Sequence, residues 1–329
     1  MTPSASDPNF PPNLSISPSQ NEHHALSTSA SFSALSQASA IAKYGIAGRV
    51  WEAAYVMLLY LSGPPTSVFD PPFAGTEGEL GTVLELGAGT GVVGLGLAER
   101  LAGAGRGSGE IGVVLTDLPE VCALLEENAS GLGQAARAMV EVMPLAWGDA
   151  GHADEVVRRL SLGVGLEGKA QEPRRHLTHI ICSDLVYFPE LLAPLLRTLL
   201  YLTSLSAPRP PAIVIAYKVR SLAKETPFWS AFGLWFAFAP VLVASCAPSE
   251  SAARSRWTRL GADADAFVFV ARRRAESMAW DVPGDDEALM RGVGARGTDA
   301  PKNDDAFELL LLMAMGDRED EDEDEAEMP

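Results

Sequence analysis

Residues 83–96 read VLELGAGTGVVGLG, and no other stretch constrains the fold as strongly. The apolar run ends at Leu86, Gly87, Gly89 and Gly91 follow, and a helical pattern takes over across 91–102. A short run that is apolar on both faces reads as a buried strand. Glycine lets the turn after it take positive φ and lets backbone approach a ligand closely. Strand, tight glycine turn and helix together form the repeating unit of a parallel sheet. Ligands of such sheets sit at the carboxyl ends of the strands.

The neighbouring sequence repeats the alternation. Further strands are expected at 111–116 (IGVVLT), 139–145, 178–183 (THIICS) and 212–217 (AIVIAY). A helix over 51–62 would put Trp51, Ala54, Tyr55, Leu58 and Leu59 on its buried face. Pro119 is expected to open another helix, with Val121, Leu124 and Leu125 inward. A helix over 189–202 also starts at a proline, and Pro194 is expected to kink it. AFVFVA (266–271) and FELLLLMAM (307–315) are both candidates for a final strand. The fold class is therefore α/β, with helices on both faces of a mostly parallel sheet.

Composition sets the boundaries. The net charge is −18, a poor match for nucleic acid or anionic membranes, which need Lys and Arg. The acids crowd into DREDEDEDEAEMP at 317–329, so 316–329 reads as an acidic, disordered tail. Residues 1–40 hold eleven Ser, five Pro and no Lys or Arg, and read as a disordered leader without a targeting signal. His23 and His24 within it are incidental. One domain is expected over 41–315, with insertions at 161–175 and 246–306. Cys122, Cys182 and Cys246 are sparse and far apart, which fits a reducing compartment and signals no metal site. Residues 228–248 carry no charge, but Gly233, Pro240 and Pro248 interrupt them. A buried helix running into a strand is expected there, and no membrane span.

Two cofactors compete for the glycine loop. Gly89 to Gly94 fits the G-x-G-x-x-G dinucleotide fingerprint in letters. Counted from Gly87, however, Val92 stands where the third glycine belongs. The acid ending the next strand, Asp117, also lies 28 residues after Gly89, against a spacing of about 20 in that fingerprint. The alternative is S-adenosylmethionine. Glu85-Leu86-Gly87-Ala88-Gly89-Thr90-Gly91 resembles the first motif of class I methyltransferases. There an acid precedes the glycines, and a strand-end acid takes the ribose hydroxyls. Both carboxylates make chemical sense. A charged acceptor suits the cofactor's amino group, and a bidentate one suits a vicinal diol.

A second constellation, Ser183-Asp184-Leu185-Val186-Tyr187-Phe188-Pro189, follows the 178–183 strand. A carboxylate and a phenol three residues apart at a strand end both face the crevice. Amine methylation needs such groups: an acceptor to orient the N–H bonds, and an aromatic wall to exclude water. With it, four segments resemble, in order, the methyltransferase-like family of seven-stranded, S-adenosylmethionine-dependent protein-lysine methyltransferases. They are Gly48 to Ala54 (GRVWEAA), Glu85 to Gly91, Leu145 to Asp149 (LAWGD) and Asp184 to Tyr187 (DLVY). The resemblance covers about residues 45–245. It implies a Rossmann-like seven-stranded sheet and cofactor contacts from Trp51, Glu85, Gly87, Ala88, Gly89, Gly91, Asp117, Leu118, Trp147 and Ser183. Trp147 would lie near the adenine. Asp184 and Tyr187 would carry the acceptor lysine. Core packing is the other reading of Trp51 and Trp147, since most Trp residues are buried.

The expected function is methyl transfer to a lysine ε-amine of a protein substrate, of the chaperone or translation-factor type that relatives modify. A small-molecule N-methyltransferase and a non-catalytic interaction protein on the same fold remain alternatives. A monomer is expected, with the cytoplasm as the default location and the nucleus as the alternative.

Overall fold

A computed structural model of the chain describes residues 9–11, 14–19, 32–73, 80–106, 112–162, 176–204, 210–245 and 257–313. The acidic tail, His23 and His24, Cys246 and most of the expected 161–175 insertion lie outside these residues.

A seven-stranded sheet forms the centre. Its strands are β2 (Thr82–Leu86), β3 (Gly112–Asp117), β4 (Val140–Pro144), β5 (Leu177–Ser183), β6 (Ala212–Lys218), β7 (Phe236–Pro240) and β10 (Ala266–Arg273). They lie in the order β4-β3-β2-β5-β6-β10-β7. The first five run parallel, and β10 is antiparallel to both β6 and β7. A smaller sheet pairs β1 (Ser67–Asp70) with β8 (Leu242–Ser245), and β8 with β9 (Thr258–Arg259). Strands β2 and β3 are buried at every position, which explains why they are apolar apart from Thr82, Glu85, Thr116 and Asp117.

Helices cover both faces. One face carries α2 (Glu52–Ser62) and α3 (Val92–Gly103), packed on each other. Its core includes Met57, Leu61, Val93 and Leu97. The other face carries α6 (Ala150–Leu162), α7 (Pro189–Ser204) and α8 (Leu222–Trp235). Its core is aromatic. Trp229 stacks on Phe307 at 4.9 Å, and Phe232 on Phe236 at 4.5 Å. Residues 228–245 of the uncharged segment are thus the carboxyl-terminal part of α8 running into β7 and β8, and 246–248 lie outside the described residues. Among the described residues, no helix is long and apolar enough to cross a membrane.

Several expectations change. AFVFVA is a strand, β10, wedged between β6 and β7. Residues 246–306 are therefore not a simple insertion, because their central strand completes the sheet. The FELLLLM segment is helical instead, over 306–313. The leader also ends earlier than residue 40. Helix α1 (Ala34–Tyr44) starts at Ser33, whose side chain caps it by accepting the Ser36 N–H. Ahead of α1, Ser19 is buried, and its backbone N–H donates to Gln37 Oε1 at 3.1 Å. Pro119 lies in a turn, and α4 (Cys122–Ser130) begins three residues later. On α2, the stripe Trp51, Tyr55 and Leu59 is the half-exposed side, while Ala53, Met57, Tyr60 and Leu61 are buried. With so many apolar residues, periodicity could not tell which face of α2 meets the sheet.

Candidate active site

The carboxyl ends of β2, β3, β5 and β6 open on one cavity of about 410 Å³. Of the residues singled out in the sequence, Trp51, Glu85, Gly87, Ala88, Gly89, Asp117, Leu118, Trp147, Ser183, Asp184 and Tyr187 line it. Gly91 does not. Its φ of 77° makes it the left-handed cap of α3.

The glycines are required by geometry. Gly87 and Gly89 both sit at φ 55°. A Cβ on Gly87 would lie 2.8 Å from Trp147 Cζ2 and 2.9 Å from a Leu185 methyl. Only a bare backbone leaves that indole room beside the loop. Trp147 itself is positioned from both sides. The Leu145 N–H donates to the Asp117 carbonyl at 2.7 Å, and the Gly148 N–H to Thr198 Oγ1 at 2.8 Å.

Asp117 ties the loop to β3. One carboxylate oxygen accepts the Gly89 N–H and the other its neighbour Leu118's, both at 2.7 Å. Burial pushes its carboxyl up to about 6, although those two N–H groups pull the other way. Each oxygen keeps a further lone pair for a ligand hydroxyl. Glu85 is only 2% exposed, and its Oε2 accepts the Gly94 N–H in the first turn of α3. Burial pushes this carboxyl up to about 8, so the free protein holds it mostly protonated at pH 7. Glu85 thus braces the strand-to-helix turn as well as lining the cavity.

Asp184 adopts φ 62°, a left-handed conformation that Asp tolerates better than most residues. Its N–H bonds to the Ala216 carbonyl of β6 at 2.8 Å. This turn directs the carboxylate against a residue that the motifs did not reveal, Arg220. The guanidinium makes a two-pronged pair with Asp184, one prong Nη1 to Oδ1 at 2.6 Å. Arg220 also lies 3.8 Å from Glu52 and over the Trp51 ring at 5.5 Å. Arg49 pairs with Glu52 and covers the same indole at 4.4 Å. Tyr187 stands half-buried beside Phe188, ring centroids 4.8 Å apart. Burial raises its phenol far above the ordinary range, which keeps it protonated.

The cavity has further lining from α8 and the N-terminal segment: Lys224, Glu225, Asn9 and Leu14. The Asn9 carbonyl accepts the Ile46 N–H at 2.9 Å, just ahead of Trp51. Nothing in the leader's composition signals this docking. Arg220 was legible in principle, since it lies just past the carboxyl end of β6, as Asp117 ends β3 and Asp184 follows β5.

The site fits an adenosyl ligand. The glycine loop exposes bare backbone, Trp147 offers an aromatic face, and Asp117 offers a bidentate acceptor. Ser183 Oγ is buried without a hydrogen-bond partner among the described residues, so it is free to bond a ligand. Among the described residues no cluster of His, Cys, Asp and Glu could hold a metal.

Comparison with known proteins gives the family. Solved structures to which the chain is similar include an O-methyltransferase family protein from Burkholderia thailandensis. It is 14% identical, with 67% of this chain and 55% of that one covered and a TM-score of 0.36. An O-methyltransferase family 2 protein from Planctomyces limnophilus, in complex with apigenin, is 11% identical, with 74% and 67% covered and a TM-score of 0.35. A SAM-dependent methyltransferase from Agrobacterium tumefaciens is 13% identical, with 68% and 63% covered and a TM-score of 0.34. The match spans 55%, 67% and 63% of the length of these three structures, and the family assignment rests on sequence. The family model described as lysine methyltransferase matches residues 33–232, from the start of α1 to within α8. That match spans more than half of the 329 residues, so the chain belongs to the lysine methyltransferase family.

Proposed function

We propose that the protein methylates the ε-amine of a lysine in a protein substrate, with Asp184 and Tyr187 on the acceptor side. One observation carries this reading. The Asp184–Tyr187 turn shares a single cavity with the glycine loop and Asp117. Donor and acceptor groups are thereby held within reach of each other, which is the main requirement of an in-line transfer.

Bound S-adenosylmethionine supplies a methyl group on a sulfonium, already a good leaving arrangement. Gly87 to Gly89, Asp117, Trp147 and Ser183 would hold it. Asp184 orients the amine by accepting its N–H bonds on the lone pairs that its partners leave open. Tyr187 and Phe188 wall the channel and exclude water. Tyr187 stays protonated and so is no proton acceptor; the lysine ammonium gives its proton to water before the neutral amine attacks. Chaperones and translation factors are the first substrates to try, by the resemblance of the sequence motifs.

The test is incubation of purified protein and tritiated S-adenosylmethionine with cell lysate, followed by mass spectrometry of the labelled bands. Nε-methyllysine in a defined protein is the expected product. Asp184→Asn keeps the backbone conformation, because Asn also accepts positive φ. It should lose about a hundredfold or more in transfer while binding cofactor as the wild type does. Label on a small amine alone, or loss of cofactor binding in Asp184→Asn, would overturn the assignment.

A further inference from the structure

Asp184 does not face the acceptor channel alone. Its side chain is 1% exposed, whereas that of its partner Arg220 is 29% exposed. The guanidinium is therefore the partner nearer to solvent, and it covers the carboxylate. We propose that Arg220 is a positioning residue that holds Asp184 as a neutral pair, so that the cavity receives the acceptor lysine as free amine rather than ammonium. This rests on the lysine reading above.

The charges facing the pair support it from every side. From the α2 side, Glu52 is shared between Arg49 and Arg220. On α8, Lys224 adds positive charge to the same cavity. The Glu225 carboxylate is turned away onto the Arg220 and Ser221 N–H groups and the Tyr217 hydroxyl. Asp117 is occupied with the Gly89 and Leu118 N–H groups. Tyr187 is a protonated phenol. Glu190, exposed in the first turn of α7, is the remaining carboxylate near Tyr187; the carboxylates named above are paired or hydrogen-bonded, and Arg49, Arg220 and Lys224 are cations that line the cavity. A like charge beside a titrating amine favours its neutral form, and only the neutral form has the lone pair that attacks the methyl carbon. The N–C bond then forms as the C–S bond breaks. The ammonium's proton has already gone to water, and the methylated product leaves as a cation.

Arg220→Gln tests this by a split between KM and kcat. At pH 7 the exposed Asp184 should bind ammonium, so KM falls and kcat falls with it. The deficit in kcat should close as pH rises, its limb moving up by about one unit or more. Arg220→Lys, which keeps the charge, should restore most of kcat. A loss of kcat that is equal at every pH, or a raised KM, overturns the proposal. A second readout needs no protein substrate. With the demethylated cofactor product present at pH 7, n-butylammonium is titrated by NMR into wild type and variant. Arg220→Gln should bind it about fivefold more tightly or better; equal binding, or none in either, overturns the proposal. Unchanged cofactor affinity confirms that both variants are folded. Failure of the wild type to label any lysine would sink the lysine reading, while the n-butylammonium comparison would still decide the role of Arg220.

Discussion

At the scale of single residues, the site is set by backbone conformation as much as by charge. Gly87→Ala would place a methyl against Trp147 and Leu185 at a φ of 55°. We expect it to cost about 1–3 kcal/mol and to weaken cofactor binding through displacement of the indole, read by denaturation and calorimetry. Asp117→Ala removes the acceptor of two backbone N–H groups as well as the proposed diol contact. Its cofactor affinity should fall by about tenfold or more; an affinity equal to wild type would exclude Asp117 from the site. Glu85 gives a pH prediction. Its folded value of about 8 lies above the 4.5 of a free glutamate. Its contribution is therefore complete below pH 4.5 and is lost as pH rises through 8, at up to about 1.4 kcal/mol per unit. Asp117, raised to about 6, acts in the same direction at lower pH. Stability of the free protein should fall from pH 5 to 8, and Glu85→Gln should flatten most of that fall in urea midpoints taken across the range.

At the scale of elements, α1 and the segment before it deserve a mutational test, because composition misjudged them. Gln37 is the hub. Its Oε1 accepts from Ser19 N, Ser19 Oγ and Val50 N, and its Nε2 donates to the Phe32 carbonyl at 3.0 Å. Ser19 Oγ also bonds the Tyr55 hydroxyl at 2.8 Å. Gln37→Ala would leave the Val50 N–H buried without its acceptor, at a cost of about 1–3 kcal/mol. Residues 9–19 should then be cleaved faster in limited proteolysis, and cofactor affinity should drop because Asn9 and Leu14 line the cavity. Unchanged cleavage would show that the segment docks without Gln37. A Ser/Pro-rich stretch has too few apolar residues to announce docking. What holds it here is side-chain and backbone hydrogen bonding to a surface formed by α1 and α2, invisible until those helices are placed.

At the scale of the whole molecule, the two faces of the sheet are stabilised differently. The α2/α3 face is aliphatic, whereas the α7/α8 face is built on Trp229, Trp235, Phe232 and Phe269 with Phe307 from the final helix. Trp229→Ala should cost about 3–5 kcal/mol, seen as a lowered unfolding midpoint, and should also loosen 306–313 through the lost Phe307 stack. The sequence by itself determined the alternation of strands and helices, the positions of the parallel strands and the location of the crevice. These follow from local rules: apolar runs of strand length, glycines where φ must be positive, and strand ends as ligand sites. It also placed Asp117 and the Asp184–Tyr187 turn at one end of the sheet, whereas Trp147 came only from the resemblance to the family, core packing being its reading otherwise. Only the tertiary structure decided that AFVFVA, rather than FELLLLM, is the last strand, since both are apolar and the choice depends on which fits between β6 and β7. It alone decided that α2 turns Trp51 and Tyr55 toward the half-open side. It alone brought Arg220 onto Asp184, across 36 residues of sequence. Such pairings join residues from different strand ends and carry no periodic signature. They arise when the sheet's register sets those ends side by side, and register is a property of the packed chain.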